Sequence, residues 1–536
     1  MVASNHELAS KIGVEILKKG GNAVDAAIAV GIALAVVYPE AGNLGGGGFM
    51  LVRTPDGVTR AIDYREMAPA ASTHDMYLDK DGQVIKGKMS STVGYRASGV
   101  PGTLAGFELA FKKYGSGKIT WNELVGPARL LAQNGFVLSH RLAELFKTYR
   151  SNLSQFDESR RIFLNNGKFY QEGDRLRQSD LARTLSRIER LGAKEFYTGE
   201  TARMITEDMK SNGGLITLDD LKNYKAVERE PVTGTYHGHR IISMPPPSSG
   251  GAVLIQTLNM LEAYDLRSLK YNSAARYHLI TEALRRSFAD RAEFMGDADH
   301  VDVPLARLID KQYASLRRKS IDPKRASKSS EIGHGDIAGK EPTETTHYTV
   351  VDAKGTVVTN TYTINDLYGS GVTIKGTGIL MNDEMDDFTS RPGVPNLYGL
   401  IQGERNAIKP RKRPLSSMTP TIVLKKDGSP WFALGGRGGP RIITGVLQTI
   451  INVIDHDMNI QTAIDAPRIH HQWLPDEILY EPLGMSPDTI AVLASYGHSF
   501  ASKPEPIASV SGIMIDDAGI RLGAVDSRND GQAIGY

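Results

Sequence analysis

The residues best placed to do chemistry lie where the texture of the chain changes, at Glu344-Thr345-Thr346-His347. Upstream, residues 323–344 (PKRASKSSEIGHGDIAGKEPTE) are polar and charged with almost no large apolar side chain. That composition predicts a mobile, exposed segment. Downstream the apolar period becomes two, in HYTVVD and, beyond the turn Ala353-Lys354-Gly355, in TVVTNTYTI, the pattern of a hairpin. A cut before Thr345 would place a new α-amine beside the Thr345 hydroxyl. Such an amine, with a reference pKa of about 7.7–8.0, is suited to general-base work near neutral pH. A threonine activated by its own amine is an effective nucleophile. Taken alone, however, the junction is better explained as a strand that follows a loop, with threonines chosen for β propensity, because short patterns recur by chance.

The elements that must position this junction can be read along the 536 residues, of which 40% are hydrophobic and 23% charged, the balance of an ordinary globular chain. Leu8, Ile12, Ile16 and Leu17 predict a helix ending at Gly20-Gly21, and the Ala-rich stretch from Asn22 predicts a second. Residues 26–37 are the longest apolar run; at 12 residues they fall short of the roughly 20 a membrane span needs and predict a buried helix. FMLVRT and VTRAIDY, around Pro55-Asp56-Gly57, predict a hairpin with Arg65 just past its second strand. Residues 103–309 are mostly helical in pattern, with an extended interruption at 231–251 that ends in MPPPSSGG. Strands are expected at GTGILM, PTIVLKK and PWFALGG, a helix from Arg441 to Ile454, and a last hairpin at SGIMIDDAGIRLGA. Helices early and hairpins late fit antiparallel sheets covered by helical layers. A formal charge of +2 gives no pointer to nucleic acid or an anionic membrane. The absence of cysteine excludes disulfides, thiolate metal sites and a cysteine nucleophile.

TTHYTVVD, TYTIN, NDEMDDF, PGVPNLYG, KRPLSSM and GGRGGPR follow one another in that order, after GGNAVDAAIAV, GNLGGGGFM, AIDYREMAP and SGVPGTLAGF. This ordered set, spanning nearly the whole chain, resembles the γ-glutamyltransferase (glutathione hydrolase) family. The resemblance implies an α+β fold, the four-layer αββα sandwich of N-terminal nucleophile hydrolases. It implies a precursor cut between Glu344 and Thr345 into a heavy chain, 1–344, and a light chain, 345–536, which remain one intertwined domain. Thr345 would be the nucleophile, oriented by Thr363. Arg65, Ser416 and Ser417 would hold the α-carboxylate of a γ-glutamyl group, and Asn365, Glu384 and Asp387 its α-ammonium. Gly438 and Gly439 would form the oxyanion hole, and Tyr398 would gate the pocket from a lid loop. Substrates would be glutathione, glutamine or other γ-glutamyl amides, with water, amino acids or dipeptides as acceptors and no cofactor or metal. A periplasmic or secreted location is implied too, although the first residues lack the features of a secretory signal. Arg437 before the glycines and Pro440 after them depart from the family pattern; Pro440 donates no N–H, and Arg437 would change the charge near the scissile carbonyl.

Two rival functions remain. An amidase of the cephalosporin-acylase kind shares the nucleophile chemistry but takes a different acyl group, and a non-catalytic binding protein could use the glycine loops. The run 45–48 lacks the Lys-Ser/Thr ending of a phosphate loop, so a tight structural turn is expected there. KPRKRP (409–414) is expected to be a solvated loop and Asp386 part of a solvated turn. His470-His471 without HExxH gives no metal signature.

Overall fold

The computed structural model describes residues 1–332 and 345–536; Glu344 and the rest of 333–344, including half of the polar segment, lie outside them. Two antiparallel sheets are stacked between helical layers. The first runs, edge to edge, through the strands Gln532–Ile534, Val2–Ser4, Thr346–Val351, Val357–Thr363, Gly47–Arg53, Thr59–Tyr64 and Val227–Arg229. The second runs through Arg521–Val525, Ser509–Ile515, Pro430–Arg437, Thr421–Leu424, His239–Ser243 and Val232–Tyr236. This is the αββα arrangement expected.

Alternation along the strands builds the layers, since successive side chains leave opposite faces of a sheet. On Gly47–Arg53, Met50 and Val52 join the core under the N-terminal helices, while Phe49 and Leu51 join the core shared with the second sheet. The helix Ala23–Val37 is buried over its whole length because it has no polar face to present to water. Asn22 caps it, and Asp25 completes the capping box. On the far side, Gly250–Leu261 and Arg441–Ile454 pack over the second sheet, and Ala274–Phe294 packs on Gly250–Leu261. Between the sheets the His347 ring lies against Gly435, where a side chain would collide with it. It bonds Thr361 at 2.8 Å, Thr349 at 3.1 Å and Thr359 at 3.2 Å.

Several sequence expectations are corrected. GTGILM is a turn with isolated bridges rather than a strand, because Gly376 and Gly378 take positive φ. The run 45–48 is not a tight turn: Gly47 and Gly48 open a strand, and the glycines allow backbone to lie against backbone. The polar segment is not wholly exposed. Ser329 is fully buried, its N–H on Asp476 at 2.7 Å and its carbonyl under the Trp473 indole at 3.0 Å. KPRKRP is not wholly solvated either. Lys412 donates to the Arg405 and Ala407 carbonyls, and the Arg413 guanidinium sits 3.5 Å from Asp63. Within the interruption at 231–251, Val232–Tyr236 and His239–Ser243 form a hairpin.

Candidate active site

Thr345 immediately precedes the strand Thr346–Val351, whose partner strand ends at Thr363. Its hydroxyl donates to Thr363 Oγ1 at 3.4 Å. Thr363 Oγ1 in turn accepts the Asn365 N–H at 2.9 Å, and the Thr363 carbonyl accepts from the Asn43 amide at 2.9 Å. Gly46 lies against that carbonyl, too close for any side chain, and its N–H is held by Asn43 Oδ1 at 3.0 Å. The glycine run therefore fixes Thr363 from behind. Both threonines line a small buried cavity.

Arg65, Asn365, Glu384 and Asp387 line the same cavity, as do Tyr398, Ser416, Ser417 and Gly439. Arg65 is fully buried. Its guanidinium donates to Glu384 Oε1 and Asp387 Oδ2, and its Nε donates to the Pro414 carbonyl at 3.2 Å. Arg65, expected to hold a ligand carboxylate, here spans the two acids assigned to the ammonium. Burial disfavours the Arg65 charge, but Glu384, Asp387 and Glu66 outweigh it and raise its pKa. Burial likewise pushes all three acids above the ordinary carboxylate range, with Arg65 opposing. Asn365, at φ 75°, commits its amide NH2 to the Asp383 carbonyl at 3.1 Å.

Ser416 and Ser417 lie in a segment bridged to MPPPSSGG: Ser416 N–H donates to the Pro247 carbonyl and Ser249 N–H to the Ser416 carbonyl. Tyr398 reaches over the cavity with its hydroxyl on the Asn365 carbonyl at 2.9 Å, its ring against Gly439. Asp386, expected in a solvated turn, is buried and accepts from Ser91 at 2.6 Å and from the Leu397 N–H at 2.7 Å. Burial pushes it up to about 6.

Gly438 and Gly439, at φ 130° and 53°, turn the strand Pro430–Arg437 into the helix Arg441–Ile454. The positive end of that helix suits an anionic oxygen. Gly438 packs on Ala508 and is not among the residues lining the cavity. The Arg437 guanidinium reaches Asn529, and Pro440 is the N-cap of the helix.

Two residues here have no sequence signal of their own. Glu66 is fully buried beside Arg65 at 3.6 Å, and neither of its carboxylate oxygens has a hydrogen-bond partner. Arg291 lies in a stretch that reads only as helical, yet it reaches the Ser417 hydroxyl at 3.3 Å. Packing brings Arg291 in, whereas Glu66 is the sequence neighbour of Arg65.

A family model for gamma-glutamyltranspeptidase matches residues 9–536. The glutathione hydrolase proenzyme of Escherichia coli (strain K12) is 49% identical over 538 residues, covering all of this chain and 92% of that protein. The crystal structure of Helicobacter pylori gamma-glutamyltranspeptidase is 48% identical over 62% of this chain and 94% of its own, with a TM-score of 0.60. The cephalosporin acylase from Bacillus halodurans superposes over 100% of this chain and 96% of its own at a TM-score of 0.85, with 26% identity. With the family model matched over nearly the whole length, the chain is an enzyme of the N-terminal nucleophile type and belongs to the γ-glutamyltranspeptidase family.

Proposed function

We propose that the chain is the precursor of a γ-glutamyl hydrolase and transferase, cut between Glu344 and Thr345 into a heavy chain, 1–344, and a light chain, 345–536. Thr345 Oγ attacks the Glu344 carbonyl, the acyl group passes from nitrogen to oxygen, and water cleaves the resulting ester. This frees the Glu344 carboxylate and the Thr345 α-amine. In turnover that amine takes the hydroxyl proton while Oγ attacks the γ-carbonyl of glutathione, glutamine or a related amide. The proton then passes to the departing amine, leaving a γ-glutamyl ester on Thr345. Water releases glutamate; an amino acid or dipeptide amine takes the group instead and regenerates the hydroxyl.

The observation that carries this reading is the cavity in which a threonine hydroxyl pair meets an arginine enclosed by acids. A zwitterion can split that cluster without changing its net charge. Its α-carboxylate takes the Arg65 fork together with the Ser416 and Ser417 hydroxyls. Its α-ammonium takes Glu384, Asp387 and the Asn365 oxygen. Arginine suits the first role because its planar fork pairs a carboxylate twice. Thr363 orients the nucleophile, Tyr398 covers it, and the Gly438 and Gly439 N–H groups receive the oxyanion beside a helix N-terminus, each such donor contributing about 3–4 kcal/mol. A periplasmic or secreted location accords with extracellular glutathione as donor; among the described residues no helix is long and apolar enough to cross a membrane.

Release of p-nitroaniline from γ-glutamyl-p-nitroanilide, by wild type and by Thr345→Ala, tests the reading. A 58.4 kDa chain cut after residue 344 of 536 gives bands of about 37 and 21 kDa. Thr345→Ala is expected to stay as one band and release nothing above background. Cleavage or turnover by that variant would sink the assignment. An acylase reading, favoured by the whole-chain likeness to the cephalosporin acylase, predicts instead that acyl groups without an α-ammonium are preferred.

A further inference from the structure

Arg291 has no part in the chemistry above, yet it stands directly behind Ser417 of the cavity. The helix Ala274–Phe294 carries it to a position that is 2% exposed. Its Nε donates to Ser249 Oγ at 2.8 Å, one terminal nitrogen to Ser417 Oγ at 3.3 Å and the other to Gln402 Oε1 at 3.5 Å. These partners are neutral, and among the described residues no carboxylate forms an ion pair with it. A buried cation whose hydrogen-bond partners are all neutral is costly, so its presence there points to a task other than stability. Burial lowers its pKa to about 10, with Asp387 opposing, so it is charged at neutral pH.

That task can be read from the hydroxyls it touches. A serine hydroxyl has one proton to donate and two lone pairs to accept with. Ser417 Oγ accepts from Arg291, and Ser416 Oγ accepts from the Met418 N–H at 3.1 Å. Each oxygen thus takes a hydrogen bond from within the protein, which leaves its O–H to be donated into the cavity that both serines line. Ser249, held by Arg291, donates its own hydroxyl to the Ser416 carbonyl at 2.7 Å and fixes the backbone that carries both serines.

We propose that Arg291 is a positioning residue that sets Ser416 and Ser417 as paired hydroxyl donors and backs them with positive charge, making the cavity selective for ligands with a free α-carboxylate. This rests on the γ-glutamyl reading above. The test compares wild type, Arg291→Met, Arg291→Lys, Ser417→Ala and the Arg291→Met/Ser417→Ala double variant, using γ-glutamyl-p-nitroanilide as substrate. Competing ligands are L-glutamate and 4-aminobutyrate, which is glutamate without its α-carboxylate.

Arg291→Met is expected to raise KM about tenfold with kcat changed less than about threefold, and to weaken L-glutamate about tenfold more than 4-aminobutyrate, the effect of losing hydrogen bonds to a charged group. Arg291→Lys, which keeps the charge but cannot reach both Ser249 and Ser417, should fall between. The double variant should lose less than the sum of the two single effects. Equal weakening of both ligands, in either Arg291 variant that folds and self-cleaves, would reduce Arg291 to a structural residue and overturn the proposal while leaving the γ-glutamyl reading intact. Wild type that releases no p-nitroaniline would overturn both.

Discussion

Arg65 shows how one residue governs both fold and ligand. Its guanidinium meets two side-chain carboxylates and the Pro414 carbonyl, with Glu66 close by. Lysine keeps the charge but offers a single ammonium, which cannot span Glu384 and Asp387. Arg65→Lys is therefore expected to fold and to lose about 2–3 kcal/mol of ligand binding, a rise in KM of roughly 30- to 150-fold. Initial rates against γ-glutamyl-p-nitroanilide check it, and an unchanged KM would remove Arg65 from the proposed carboxylate site. Arg65→Met should do worse, because it leaves three acids buried without the cation they share. Residues of this kind were partly legible in sequence. Thr345 and Arg65 stand at the ends of hairpin strands, where periodicity marks them. Glu384 and Asp387 drew their roles only from the ordered motifs. Arg291 was silent, because what defines it is Ser417, 126 residues away in sequence; Glu66 stands beside Arg65 in sequence, but nothing there marks its burial.

Among the elements, the strand Gly47–Arg53 does most to place the nucleophile. It pairs with Val357–Thr363 in a register that sets Thr363 opposite Gly47. Gly46, one residue before it, lies against the Thr363 carbonyl, where a methyl group would collide with that oxygen and with the Asn43 side chain. Gly46→Ala is expected to cost about 1–3 kcal/mol of stability by overpacking. It should lower kcat more than KM, because Thr363 moves relative to Thr345 while Arg65 and the serines stay. Thermal melts and steady-state rates measure the two effects, and a fall in KM-dependent binding alone would contradict the argument. The hairpins and the helix Arg441–Ile454 were legible because their periods are clean. The strands Val2–Ser4, Val227–Arg229 and Gln532–Ile534 were not, since three residues carry no period. The glycine run was misread for a physical reason: glycine marks both a tight turn and a close approach of backbones, and only the partner strand tells them apart.

At the scale of the whole molecule, the strands on either side of the proposed cut are interleaved. Thr346–Val351 lies between Val2–Ser4 and Val357–Thr363, and Thr421–Leu424 pairs with His239–Ser243. A heavy and a light chain made by that cut would share both sheets, so native separation would require unfolding. The same shared core buries His347, His470, His471 and His498, whose pKa values burial lowers to about 3, 3, 4 and 3. These histidines stay neutral in the fold but take up protons near 6.5 once unfolded. A depressed folded value means that the stability is complete above about pH 6.5 and is lost as pH falls toward 3. For His347, at about 1.4 kcal/mol per unit, the share approaches 4–5 kcal/mol, a large part of a domain's usual 5–15 kcal/mol. The acids around Arg65 run in the opposite sense. Their raised values give stability present at low pH and lost as pH rises beyond the ordinary carboxylate range. The two must therefore be separated by mutation. Urea unfolding followed by circular dichroism between pH 7 and pH 4 should show His347→Asn losing about one proton's worth of slope, near 1.4 kcal/mol per pH unit. An identical slope in wild type and variant would mean that His347 is not neutral between the sheets.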